Sequence, residues 1–309
     1  MPEDPSILSV DLGQTNLRCA LIDQAANCLR RQSVPTPFDD SLGEALIALA
    51  QEVRGPMPVT GCVVGVPGRV DYSGGCLEWG RGLPSSWKDY LRVDWLSSKL
   101  STSVQLANDA DLAAVGETYF GAGDRRKTVV YLTVSSGLGA GAVMWGRLLR
   151  ARVSLLEIGL TMAEPPVAPG EARQSELLED ISSGKGLRES AHGLSSPAGL
   201  REVVVRARAG DANAQNVWDG LCRAAGMAAA NLAHLLVPDI IVLGGGISQV
   251  GESFRSSVAE VVREHGPQGL PAPISVRLAA LGDNSGLVGA AAWAVAMRLP
   301  EGEACGEPT

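Results

Sequence analysis

Residues 7–23 read ILSVDLGQTNLRCALID and residues 128–145 read TVVYLTVSSGLGAGAVMW. Each begins as a short apolar run, breaks at a turn rich in Gly, Ser or Thr, and returns as a second apolar run, which is the pattern of a β-hairpin. In the first, Ile7 to Val10 lead into Asp11-Leu12-Gly13-Gln14-Thr15-Asn16 and Leu17 to Asp23 come back. In the second, Thr128 to Val134 lead into Ser135-Ser136-Gly137-Leu138-Gly139 and Ala140 to Trp145 come back. The chain reads as two copies of one strand-turn-strand device.

Outward from these hairpins the same grammar continues. Val59 to Val64 form a strand-like run ending in Gly65-Val66-Pro67-Gly68, and Val104 to Ala107 run into Asn108-Asp109 and a helix over Ala110 to Phe120. A carboxylate thus stands at a strand end twice, at Asp11 and at Asp109. Val217, Leu221, Ala225, Ala228, Leu232 and Leu235 keep helical spacing within Asn213 to Val237, and Pro238 stops that helix before a strand over Asp239 to Leu243. Gly244-Gly245-Gly246 closes the strand, and a last helix over Ser285 to Arg298 carries the small residues Gly286, Gly289 and Ala290 to Ala292, suited to close packing. The first set of elements ends near Gly116, where the domain division is expected.

Composition narrows the function. The 309 residues include 37 glycines, are 45% hydrophobic and carry a formal net charge of -8. No apolar stretch approaches a bilayer span and the basic residues form no stripe, so the expectation is a soluble protein with a small-molecule partner rather than a membrane or a nucleic acid. Six scattered cysteines without a C-x-x-C pair, and an acidic start without a signal-peptide core, point to an intracellular thiol protein. With three histidines and neither H-E-x-x-H nor G-x-S-x-G, metal-hydrolase and serine-hydrolase readings have no footing. Glycine turns after three strands offer backbone N–H groups and hydroxyls to phosphates. They match neither a Walker A loop nor a dinucleotide-binding fingerprint, and taken singly each reads as an ordinary tight turn.

As an ordered set, Asp11-Leu12-Gly13-x-Thr15-x-x-Arg18, Gly65-Val66-Pro67-Gly68, Asn108-Asp109-Ala110, Ser136-Gly137-Leu138-Gly139-Ala140-Gly141, Glu157-Ile158-Gly159 and Leu243-Gly244-Gly245-Gly246-Ile247 resemble the motifs of the ROK family of repressors and sugar kinases, from about Ile7 to Ala292. The resemblance implies an α/β actin-like ATPase (ribonuclease H-like) fold: two domains of duplicated βββαβα units around a cleft, residues 1–116 with 290–309 and residues 117–289. The last helix is expected to fold back onto the first domain.

The resemblance also implies an ATP-dependent hexose kinase acting with Mg²⁺ on glucose or an N-acetylhexosamine, at C6. Asn108 and Asp109 are expected to hold the sugar hydroxyl, with Asp109 as general base, and Glu157 and Glu179 to bind the sugar under a loop containing Gly68. Asp11 is expected to hold Mg²⁺ through water. Gly13, Thr15, Ser136 and Gly137 would cradle phosphates, and Gly244, Gly245 and Gly246 would lie against the adenosine. Beside these stand plainer readings: Asp11 as a turn former, Asp109 as a helix N-cap, Glu157 and Glu179 as solvated side chains, and Lys185 and His192 as surface residues. A cytoplasmic homodimer or homotetramer is expected.

Four departures fall on the sugar side. The family's zinc-binding His position is Leu160 and no cysteine occurs from Pro165 to Leu177, so no zinc is expected. The Asn usual before Leu-x-x-Trp is Gly82, and the Gly-rich loop before Glu157 reads Arg150 to Leu156. Gln14 replaces a glycine. An alternative expectation is a catalytically weak sugar- or nucleotide-sensing protein without a DNA-binding domain.

Overall fold

The computed structural model describes residues 6–135, 137–163, 176–182 and 197–297. Strands β1 (Ser6–Leu12), β2 (Asn16–Ile22) and β3 (Cys28–Pro35) form an antiparallel meander, and helix α1 (Leu42–Arg54) leads to β4 (Val59–Val66). A small hairpin, β5 (Arg69–Asp71) and β6 (Cys76–Trp79), and helices α2 (Trp87–Tyr90) and α3 (Val93–Leu100) precede β7 (Val104–Asn108) and α4 (Asp109–Phe120). The sheet order is β3-β2-β1-β4-β7, with β4 parallel to both β1 and β7.

The second half repeats the plan. Strands β8 (Thr128–Val134), β9 (Leu138–Met144) and β10 (Arg147–Leu148) form the meander; a two-stranded pair, β11 (Met162–Ala163) and β12 (Glu176–Leu177), leads to α5 (Leu178–Ser182). Helices α6 (Pro197–Arg208) and α7 (Ala212–Leu236) precede β13 (Ile240–Gly244), α8 (Glu252–His265), β14 (Ser275–Leu278) and α9 (Ser285–Ala296). The order β10-β9-β8-β13-β14 mirrors that of the first sheet. Both expected hairpins are present, in the registers Val10↔Cys19 and Leu132↔Ala140.

Five layers result. One apolar core lies between the first sheet and α1 and α3, another between the second sheet and α6, α7 and α8. A third lies between the sheets, where Val63 and Ala107 meet Val129, Tyr131 and Val242 around α4 and α9. Helix α4 is buried on nearly every side, which explains why it lacks a polar face. The last helix packs on α4, β1 and β2, as expected from its small residues. A Cβ on Gly289 would stand 2.0 Å from the Leu112 carbonyl oxygen, and one on Gly116 would stand 2.1 Å from that of Ser285, so backbone contact demands glycine on both helices.

Candidate active site

A cleft of about 1050 Å³ opens between the sheets, and the ends of both hairpins, the N-termini of α4 and α9, and the hairpin β5–β6 converge on it. Of the residues anticipated from sequence, Asp11, Gly13, Thr15, Gly68, Asn108, Asp109, Gly137, Glu157, Glu179, Gly245 and Gly246 line it. Ser136, Lys185 and His192 lie outside the described residues.

Asn108 is the N-cap of α4: its Oδ1 accepts from the amides of Ala110 and Asp111, both at 3.0 Å, and its Nδ2 donates to the Gly68 carbonyl at 2.9 Å. The cap is therefore Asn108, not Asp109, and α4 begins one residue earlier than the sequence suggested. Capping by its neighbour leaves the Asp109 carboxylate open to the cleft, with one bond of 2.9 Å from the Ala110 amide. Burial first, then the field of Asp11 and smaller contributions from Glu157 and Asp111, push the Asp109 carboxyl up to about 7 against the opposing Ala110 amide.

Asp11 faces Arg18 across the β1–β2 ladder, 3.0 Å from its guanidinium. Burial nonetheless raises its pKa, outweighing Arg18. Glu157 also has a raised pKa, from burial opposed by Arg69, and its Oε1 is buried without a hydrogen-bond partner among the described residues. Such an oxygen is costly unless a ligand supplies the donor. Glu179 accepts from the Leu138 amide at 3.2 Å and from Arg81 at 3.2 Å, while Arg81 also grips Asp180 with two bonds of 2.9 Å. The reading of Glu157 and Glu179 as solvated side chains is thus corrected: both belong to the cleft wall.

The glycines divide by cause. Gly245, at φ +80°, and Gly246 line the cleft, and the space at Gly246 is open. Gly244 does not line it; a Cβ there would stand 2.0 Å from the Tyr131 hydroxyl, so packing against Tyr131 accounts for this glycine. Gly68, at φ +98°, sits 2.4 Å from the Trp79 carbonyl oxygen by the same measure, which fixes the β5–β6 hairpin over the cleft.

Three groups escaped the sequence reading. Tyr72 Oη donates to Asp111 Oδ2 at 2.5 Å, and Glu117, fully buried, accepts from the amides of Ala122, Ala280 and Leu281 and from Ser285 Oγ, tying α4 to α9. Arg81 is the third. Their partners are far away in sequence, and only the short D-A-D spacing of Asp109 and Asp111 was a local signal. Leu160 lines the cleft beside Glu157, and the stretch where zinc-binding cysteines were sought lies mostly outside the described residues. All five described cysteines are free thiols.

The family model described as ROK matches residues 7–297. A glucokinase from Halalkalibacterium halodurans is 28% identical, over 91% of this chain and 92% of its own. An N-acetyl-D-glucosamine kinase from Pectobacterium atrosepticum is 29% identical, over 79% of this chain and 85% of its own. A ROK family glucokinase from Streptomyces griseus, solved in complex with glucose and AMPPNP, is 26% identical and superposes with a TM-score of 0.78 over 93% of this chain and 98% of its own. With the duplicated sheets, the shared cleft and a family match along nearly its full length, this chain belongs to the ROK family and has the actin-like ATPase fold of the family's sugar kinases.

Proposed function

We propose that the chain is an ATP-dependent hexose kinase, moving the γ-phosphoryl of ATP to a sugar hydroxyl of glucose or an N-acetylhexosamine, at C6, with Asp109 as general base. One observation carries this reading: Asp109 opens onto the cleft at the start of α4, and its carboxyl is pushed up to about 7. A base with a pKa near the working pH suits late proton removal from an alcohol. Phosphoryl transfer through a loose transition state asks mainly for alignment and charge stabilisation. Asn108 supports alignment by fixing the first turn of α4 and the Gly68 loop together. Glu157, with its unpartnered buried oxygen, and Glu179 accept from sugar hydroxyls; Gly13, Thr15, Ser136 and Gly137 serve the phosphates, and Gly245 and Gly246 the adenosine.

Among the described residues no group of three acidic, His or Cys side chains forms a ready-made metal cage. One buried carboxylate, Asp11, with Asp109 and Asp283 contributing to the local field, fits a magnesium ion that arrives on phosphates and keeps its waters. Asp11 would hold it through water, and the ion would draw charge from the β- and γ-phosphates. The same reading sets the domains at residues 1–116 with 290–309 and at 117–289, and describes a cytoplasmic homodimer or homotetramer working on small molecules, without zinc and without a nucleic-acid or membrane partner. No helix among the described residues is long and apolar enough to cross a membrane.

A second reading, a weak sugar- or nucleotide-sensing protein, is favoured by one feature: Arg81 already occupies Glu179, where a sugar hydroxyl would compete with it. A coupled ADP-release assay with Mg-ATP against glucose, mannose, fructose, allose, N-acetylglucosamine and N-acetylmannosamine, with nucleotide binding measured in parallel, separates the two. Turnover with a sugar supports the kinase. Nucleotide binding with no turnover on any sugar supports the sensor.

A further inference from the structure

Asp111 is 1% exposed, yet it borders the cleft two residues beyond Asp109. The one hydrogen bond to its carboxyl among the described residues comes from Tyr72, whose hydroxyl also accepts from the Asn108 amide at 3.3 Å and therefore directs its hydrogen to Asp111 Oδ2. Oδ1 takes no partner from the described residues. The first-turn amides of α4 serve other acceptors: those of Ala110 and Asp111 go to Asn108, and that of Ala110 also reaches Asp109. Among the described residues no cation compensates Asp111 either. The groups facing it are Tyr72 from the turn after β5, Glu157 from the segment after β10 and Asp109 on its own helix, with Arg150 behind Tyr72. Strand β9 packs Gly141 against its backbone, and neither β9 nor α9 contains a charged residue. Arg18 and Arg81 are committed to Asp11 and to Glu179 with Asp180, and Arg69 acts on Glu157 through its field alone.

Two neighbouring carboxylates on one helical turn, sharing Glu157 as a third acid and without a cation among the described residues, do not both ionise readily. Asp109 has the backbone amide and the wider access to the cleft; the Asp111 carboxyl has no backbone amide and only 1% exposure. We propose that Asp111 is a positioning residue that works as a neutral carboxylic acid: Oδ2 accepts from Tyr72, Oδ1 carries the proton, and the missing charge leaves Asp109 free to ionise. The proposal rests on the reading of Asp109 as the base. Burial pushes the Asp111 carboxyl up to about 7, against the bond from Tyr72, in keeping with the geometry. The proton on Oδ1 also makes Asp111 a donor beside the acceptors Asp109 and Glu157.

Asparagine is the uncharged isostere: its carbonyl accepts from Tyr72 and its NH₂ replaces the O–H. In the full-length protein, Asp111→Leu lowers kcat by about a hundredfold, and Asp111→Asn recovers most of that loss. In wild type kcat/KM rises as Asp109 ionises and falls again as Asp111 ionises; Asp111→Asn keeps the rise and loses the fall. A loss in Asp111→Asn as deep as in Asp111→Leu at every pH, or an unchanged alkaline fall, overturns the proposal. Infrared difference spectra between neutral and alkaline pH supply a readout that needs no turnover. The carbonyl stretch of a buried protonated carboxyl is expected in Asp109→Asn, where Asp109 cannot contribute, and missing when Asp111→Asn is added to that variant. Its persistence in the double variant, or its absence from Asp109→Asn, contradicts the proposal even if no sugar is ever phosphorylated; presence of the band without turnover removes the kinase reading and leaves the proton on Asp111.

Discussion

The two sides of the cleft are built differently. On one side the turns at Gly13, Gly137 and Gly245 present backbone, and their geometry survives changes in neighbouring side chains. On the other side Asp109, Asp111, Glu157, Glu179 and Arg81 present side chains, and Glu157 keeps a buried oxygen without a partner among the described residues. A wall of backbone depends on glycine and little else, whereas a wall of side chains is redefined by each substitution. Under the proposed kinase reading, the departures at Leu160, Gly82 and Arg150 to Leu156 would therefore alter sugar choice rather than the fold.

The largest expected effect on the carboxylate side is that of Asp109→Asn, which removes the base and keeps the shape. Turnover falls about a thousandfold, within the range for a lost general base, while ATP affinity measured by titration stays the same. A matching loss of ATP affinity would show that the two sides are not separable.

The carboxylate side also weakens the fold. A carboxyl whose folded-state pKa lies above its unfolded value of 3.8 binds more protons when folded, so its burden on stability is absent in acid and grows as pH rises towards about 7. Asp111→Asn lifts that burden. Its thermal midpoint should exceed that of wild type at pH 8, by a free energy of up to about 4 kcal/mol, and approach it near pH 4. A lower midpoint at pH 8 would show that Asp111 is held there as a satisfied anion.

On the glycine side, Gly245→Val asks a β-branched residue to adopt φ +80° with its Cβ 2.5 Å from the Val134 carbonyl oxygen. Strain of this kind costs about 1–3 kcal/mol, so KM for ATP should rise tenfold or more while KM for the sugar stays unmoved. The smallest effect is expected of Arg81→Ala, which frees Glu179 and lowers KM for the sugar about threefold without changing that for ATP. A rise would mean that the guanidinium itself holds the sugar.

Legibility in the sequence follows the same division. The hairpins, the Asp11 turn and the start of α4 are local, because a strand, a turn and a cap are specified within a few residues. The doubled sheet order follows once both hairpins are recognised. Tyr72 and Asp111 stand 39 residues apart, Arg81 and Asp180 99, and Glu117 and Ser285 168; no spacing rule links them. They meet only because tertiary packing brings the β5–β6 hairpin to α4, the segment after β6 to α5, and α9 to α4. Gly244 shows the converse: its place in a glycine run suggested a ligand, and the Tyr131 ring explains it instead.

The central claim is that a buried carboxylate at the head of α4 takes the sugar proton at near-neutral pH. The pH dependence of kcat/KM for the sugar that turns over tests it most directly. The account predicts a rise centred at about pH 7, with activity falling about tenfold per unit below it and the rise absent from the residual rate of Asp109→Asn. A rate that stays level down to pH 5, or a rise that Asp109→Asn preserves, would contradict it.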